Sequence, residues 1–174
     1  MAETIRVGVV GTGKMGILHG GILHSLDQVK PCAIVEREKQ LHTFIRAVLP
    51  NVTVYADSEE MFIKETLDLV YIVTPTPSHV EIAEACVDTG INFFVEKPLG
   101  ITAGQCLPLV EKIKKHPVIN MVGYCNHFVD TFMKAKEIID SNVLGNLIHL
   151  RSHIYLSQVL VKSKKGKGAD NVRG

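Results

Sequence analysis

Three stretches of this chain carry residues whose types and spacing can do chemistry. The first is Gly11-Thr12-Gly13-Lys14-Met15-Gly16, which directly follows an apolar run from Ile5 to Val10. Gly11 permits a tight strand-to-helix turn, Gly13 lets the main chain approach a phosphate, and Gly16 lets the helix pack on the strand. The helix N-terminus then offers oriented N–H groups and the positive end of its dipole to a pyrophosphate. Glu36 closes the next apolar run about twenty residues beyond Gly16, where a carboxylate accepts hydrogen bonds from the adenosine ribose hydroxyls of a dinucleotide. The pairing of a glycine turn with a downstream acid is far more specific than the glycines alone, whose other reading is a turn without ligand.

Glu36 favours NAD, because its charge repels the 2′-phosphate of NADP. Arg37 beside it either attracts that phosphate or stacks on adenine, so NADP stays open. The other reading of Glu36-Arg37-Glu38 is a solvated charged turn. The second stretch, Thr74-Pro75-Thr76-Pro77-Ser78-His79, ends a later apolar run, and its hydroxyls can reach a ribose or a carboxamide. His79 either donates to the cofactor or sits in a first helical turn with its hydrogen bonds satisfied. The third, Glu96-Lys97-Pro98, ends the run after that. A lysine ammonium on the same rim can hold a substrate oxygen and relay a proton while hydride moves at a nicotinamide, with Glu96 keeping it charged or orienting it. Away from such a rim the same residues would read as a surface ion pair.

These groups need a scaffold that puts them on one edge. Apolar, β-branched runs recur at Ile5–Val10, Cys32–Val35, Val52–Tyr55, Leu69–Val73, Ile91–Val95 and Val118–Val122, with helical periodicity between them. The alternation predicts parallel βαβ units: an α/β fold, a doubly wound Rossmann sheet. In an open parallel sheet the carboxyl ends of the strands line the ligand crevice, and all three stretches lie at such ends. Ser58 or Asp57, Ser78 and Thr102 are the expected helix caps, and Gly90 follows a helix end. After Val122 the pattern changes to a helix from about Asp130 to Ser141, a turn at Leu144-Gly145-Asn146, and a strand from Leu147 to about Val161 with one apolar face. The expected division is a dinucleotide-binding domain over 1–123 and the start of a second domain over 124–174. The sequence reads as cut off within that second domain, since the Lys-, Gly- and Ser-rich tail offers the strand no partner. Its uncovered sheet predicts a homo-oligomer.

Composition narrows the partners. In 174 residues, 19 Lys and Arg stand against 18 Asp and Glu, which offers no broad field for nucleic acid or an anionic membrane. No apolar stretch approaches the length of a membrane span, and the N-terminus leaves no room for a signal peptide. The four cysteines form neither a zinc pattern nor a secreted disulfide framework, which points to a reducing, cytoplasmic setting. His149 and His153 alternate along the expected strand and face solvent; no metal site is expected. Tyr124, Asn126 and His127 follow the sixth run and either touch substrate or brace the domain junction.

The order GTGKMGILH, VTPTPSH, VEKPLG and VGYCNHF resembles the Gfo/Idh/MocA family of NAD(P)-dependent sugar, polyol and related dehydrogenases, over nearly the whole chain. The resemblance implies a Rossmann domain followed by an open-faced α+β sheet domain, with a small sugar-like substrate between them. It matches Gly11, Gly13 and Gly16 to the dinucleotide loop and His19 to a histidine common beyond it. It matches Thr74, Pro75, Thr76 and His79 to the loop near the nicotinamide ribose, and Lys97 to the catalytic lysine. Two departures stand out. At His127 many relatives carry arginine followed by an aromatic residue, with proline often near Asp130. The family's glycine-rich strand leading to a paired aspartate and histidine would begin just after Gly174. The activity implied is hydride transfer between NAD, or NADP, and a hydroxyl or keto carbon of a sugar or polyol. The competing readings are an NAD(P)-binding regulator or fragment without turnover, and another Rossmann reductase of the biliverdin reductase type.

Overall fold

The computed structural model describes residues 4–153. Strands and helices alternate as β1 (Ile5–Val10), α1 (Lys14–His24), β2 (Val29–Val35), α2 (Lys39–Val48), β3 (Thr53–Tyr55), α3 (Ser58–Lys64), β4 (Leu69–Ile72), α4 (His79–Asp88), β5 (Asn92–Val95), α5 (Ala103–Lys115), β6 (Asn120–Val122) and α6 (Asp130–Asp140). The six strands form one parallel sheet in the order β3-β2-β1-β4-β5-β6, the doubly wound order in which the chain reverses direction across the sheet between β1 and β4. Each strand lies where an apolar run predicted it, β1 with the same ends and the others with one end shifted by one to three residues.

Burial explains why those runs are apolar without alternation: helices cover both faces of the sheet. On one face Val10, Val70, Ile72 and Val95 pack against Met61, Ile82, Cys86 and Leu109 from α3, α4 and α5. On the other, Val7, Val9, Ile34 and Val54 pack against Leu23 and Ile45 from α1 and α2. β2 starts earlier than its apolar run, at Val29, and takes in Pro31. The β1–β2 register shifts there, with Val7 opposite Pro31 and Gly8 opposite Ala33, so that Cys32 is the extra residue of a bulge. Proline is admitted because β3 pairs β2 only from Ala33 to Val35, leaving that side unpaired at Pro31.

Caps follow the sequence in part. The Asp57 carboxylate accepts from the Glu60 N–H at 2.7 Å, which makes Asp57 rather than Ser58 the cap of α3. Thr102 caps α5 through the Gln105 N–H. Ser78 precedes α4 without capping it by its side chain: its backbone is already helical (φ −97°, ψ −2°), and its hydroxyl turns back to Thr74 Oγ1 (2.8 Å) and the Pro75 carbonyl (3.0 Å).

Two compact units divide at Tyr124 and Cys125, the first holding the sheet and the second holding a short 3-10 turn (Cys125–Phe128) and α6. The strand expected from Leu147 differs from what is found: residues 147–153 form no strand. Alternating polarity alone does not make one, since an extended segment is stabilised by a neighbour that pairs its N–H and C=O groups. No described strand pairs with it. Residues 154–161 of that expectation lie outside the described residues. Among those described, no helix is long and apolar enough to cross a membrane, and no cluster of His, Cys, Asp and Glu is placed to hold a metal.

Candidate functional site

The turn between β1 and α1 is built from glycines with separable duties. Gly11 adopts φ +105°, a left-handed conformation that disfavours any side chain, and a Cβ there would lie 3.0 Å from the Val73 carbonyl oxygen. A Cβ on Gly16 would lie 2.1 Å from the Gly11 carbonyl oxygen, so the helix can sit this close to the turn only without one. Gly13, the N-cap of α1, differs: a Cβ there would meet nothing within 4 Å. No side chain caps α1 and no acid stands in its first turn. Its leading N–H groups and positive dipole end therefore face open space, the arrangement that takes a phosphate.

That open space is one end of a cleft of about 620 Å³ along the carboxyl ends of β1, β2 and β4. Gly11, Thr12, Gly13, Lys14 and Met15 line it, with Glu36 and Arg37 from the end of β2, Asp57 beyond β3, and Thr74 and Pro75 beyond β4. The fold thus gathers most of the residues that the sequence singled out, because the crevice of this topology opens where the strand order reverses.

Glu36 is held at every polar point. Its main-chain N–H donates to the Tyr55 carbonyl (3.0 Å), and its own carbonyl lies 2.7 Å from His42 Nε2. Its Oε1 accepts from the Glu38 N–H at 2.8 Å, and its Oε2 accepts from the Thr12 hydroxyl. His42, on the buried side of α2, is a supporting residue that the sequence reading missed; its place six residues from Glu36 on the apolar side of a helix was the available signal.

The remaining rim residues lie apart from this cleft. His79 is 1 % exposed, and its Nδ1 and Nε2 lie 2.8 Å from the Pro98 carbonyl and 2.7 Å from the Thr74 carbonyl. Both ring nitrogens are taken up by main chain, so the ring ties the loop after β4 to the loop after β5. Thr76, Glu96 and Lys97 do not line the cleft either. Lys97 is exposed, and the Lys97–Pro98 peptide is cis.

Glu96 does not pair with the Lys97 ammonium. Its Oε1 lies 2.8 Å from His19 Nε2, with both side chains mostly enclosed, and its Oε2 accepts from the Lys97 main-chain N–H at 3.1 Å. His19 projects from α1 beside Tyr71 and Phe94, which stack on each other at 4.8 Å between ring centroids. Burial among these rings pushes the Tyr71 phenol above its ordinary pKa. The carboxylate turns inward because histidine offers a partner inside the fold, while the lysine ammonium is better solvated outside. Tyr124 is half exposed at the end of the first unit, and Asn126 and His127 are exposed on the 3-10 turn of the second.

Comparison with known proteins follows this geometry. Residues 5–124 match the model of the Gfo/Idh/MocA oxidoreductase family with its NAD-binding Rossmann fold. Myo-inositol 2-dehydrogenase of Thermotoga maritima is 30% identical over 81% of this chain and 42% of its own length. 2,7-Anhydro-N-acetylneuraminate hydratase of Mediterraneibacter gnavus is 26% identical over 86% of this chain and 39% of its own length. Among solved structures, scyllo-inositol dehydrogenase from Lactobacillus casei with bound NAD(H) and scyllo-inositol superimposes with a TM-score of 0.76 at 25% identity, over 82% of this chain and 43% of that one. The chain spans less than half the length of the curated relatives it matches.

Proposed function

The chain belongs to the Gfo/Idh/MocA oxidoreductases with an NAD-binding Rossmann fold, and from that membership we propose that it binds NAD in the cleft above β1 and serves hydride transfer at a hydroxyl or keto carbon of a sugar or polyol. The observation that carries this reading is the combination of an open phosphate turn at Gly13 with a fixed carboxylate at Glu36 in one cleft. The first-turn N–H groups of α1 hold the pyrophosphate, Glu36 accepts from the adenosine ribose, and Thr74 and Pro75 border the nicotinamide end. Bound there, the nicotinamide supplies or takes up hydride. Lys97, exposed on the adjoining rim, binds the reacting oxygen and gives or takes its proton. Glu96, through His19 and the Lys97 N–H, sets the main chain from which that lysine projects. Inositol dehydrogenases among the relatives favour a cyclic polyol as substrate, and the relative named a 2,7-anhydro-N-acetylneuraminate hydratase supports including other sugar-like compounds in the panel.

Four unpaired cysteines, two of them buried, suit a reducing cytoplasm. Tyr124, Asn126 and His127 are proposed as substrate contacts. Self-association through the second unit belongs to the same reading; residues 147–153 of its expected strand form none, and residues 154–161 lie outside the described residues.

Titration of the purified chain with NADH, followed by fluorescence, tests the cofactor site. Saturable binding is expected, and its absence refutes the proposal. A panel of inositols and other polyols with NAD then tests turnover, which Lys97→Ala should abolish while leaving NADH binding intact. The second reading is cofactor binding without turnover. NADH binding with no reduction on the panel, unchanged in Lys97→Ala, would establish it.

A further inference from the structure

We propose that Thr12 is a specificity-determining residue: its hydroxyl, reaching across from the glycine turn, locks the Glu36 carboxylate in the orientation that accepts an unphosphorylated ribose and rejects a 2′-phosphate. This rests on the cofactor site proposed above. Thr12 lies on the turn after β1 and Glu36 at the end of β2, so the bond joins neighbouring strands across the floor of the cleft that both residues line.

A carboxylate offers about four lone-pair sites on two oxygens. In Glu36 one site on Oε1 is filled by the Glu38 N–H and one on Oε2 by the Thr12 hydroxyl. One acceptor site remains on each oxygen, a pair matched to the two adjacent hydroxyls of a ribose. A 2′-phosphate brings no donor to either site and adds like charge, which is costly in a partly enclosed cleft.

The Glu38 N–H alone does not fix the carboxyl plane, because one hydrogen bond to one oxygen leaves rotation about the carboxyl torsion. The Thr12 hydroxyl holds the second oxygen. Without it the carboxylate can turn toward solvent or toward Arg37 on the same cleft. Ribose acceptance then falls, and Arg37 is left to draw a phosphate.

The test uses the whole chain, with NADH and NADPH as probes in parallel fluorescence titrations of the wild type, Thr12→Val, Thr12→Ala and Thr12→Ser. Valine keeps the shape without the donor, alanine removes both, and serine keeps the donor. The wild type is expected to favour NADH. Thr12→Val and Thr12→Ala should each weaken NADH binding about tenfold, as for loss of one hydrogen bond to a charged group. NADPH binding should stay within about twofold or tighten, so the preference collapses. Thr12→Ser should restore it, which a purely structural role for the methyl would not produce. Melting curves accompany each variant, and alanine serves if valine does not fold. A preference that survives in both donor-less variants overturns this inference while leaving the cofactor site standing. A wild type that favours NADPH overturns it as well. A wild type that binds neither dinucleotide refutes the cofactor site itself.

Discussion

Replacing Gly13 by alanine separates contact with ligand from support of the fold. The residue has φ −64° and ψ −174°, a conformation open to any L residue, and its Cβ would meet nothing within 4 Å. Alanine restricts the unfolded chain, a gain of about 0.4–1 kcal/mol, but is a poorer N-cap than glycine. The two nearly offset, and the melting temperature should move by no more than about 2 °C. The same methyl occupies the face over which a phosphate must approach the first-turn N–H groups. Forfeiting about 2–3 kcal/mol there weakens NADH about 30- to 150-fold. Gly16→Ala inverts the pattern. Its Cβ falls 2.1 Å from the Gly11 carbonyl oxygen, a main-chain atom that cannot rotate aside. Overpacking of that kind costs about 1–3 kcal/mol or more, a drop of about 4–12 °C. Thermal melts and NADH titrations of both variants form the assay. A Gly13→Ala protein that binds NADH like the wild type would refute the placement of phosphate over this turn. One that melts as low as Gly16→Ala would refute the account of the glycines.

Three further outcomes are expected. His19→Leu strips the Glu96 carboxylate of its enclosed partner and should cost about 2 kcal/mol in urea denaturation, with Glu96→Gln costing less because it leaves no charge behind. Equal stability of His19→Leu and wild type would show that the pair is idle. The Tyr55 phenol, pushed up to about 12 by burial and then by its hydrogen bond to Glu65, stabilises the fold while protonated. Because the folded value lies above the ordinary 10, that stability is intact below pH 10 and drains away as pH rises toward 12. Tyr55→Phe should therefore show a shallower alkaline fall in melting temperature than wild type, and parallel curves would refute the assignment. For the thiols, Cys125 is exposed and Cys106 partly so, while burial pushes Cys86 up to about 12 and raises Cys32. A disulfide reagent at pH 8 should label Cys125 quickly and leave Cys32 and Cys86 untouched until the fold is opened. Rapid labelling of either buried thiol would contradict their placement in the sheet's core.

Among these features, the ones readable in the chain are those encoded by neighbours. Six apolar runs interleaved with helical spacing announce a parallel sheet covered on both faces, since each run must be apolar on both sides. The glycine turn and Glu36 are legible because each sits at a strand end, and strand ends of such a sheet share one rim. The alternating segment from Leu147 shows the limit of this kind of inference. Period-two polarity states which face a strand would bury, not whether a neighbour exists to pair with it, and none of the described strands pairs with residues 147–153.

By itself, then, the order of residues determined the βαβ alternation, the dinucleotide turn and the acid that faces it, because periodicity and turn chemistry act over a few residues and survive translation into one dimension. Partnership was left to the tertiary structure. Glu96 faces His19 from α1 rather than its neighbour Lys97, Thr12 reaches Glu36 across two strands, and His79 spends both ring nitrogens on carbonyls of two separate loops. A polar side chain takes whichever donor or acceptor the fold brings within about 3 Å in a poorly solvated place, and that choice is made by packing between segments far apart along the chain.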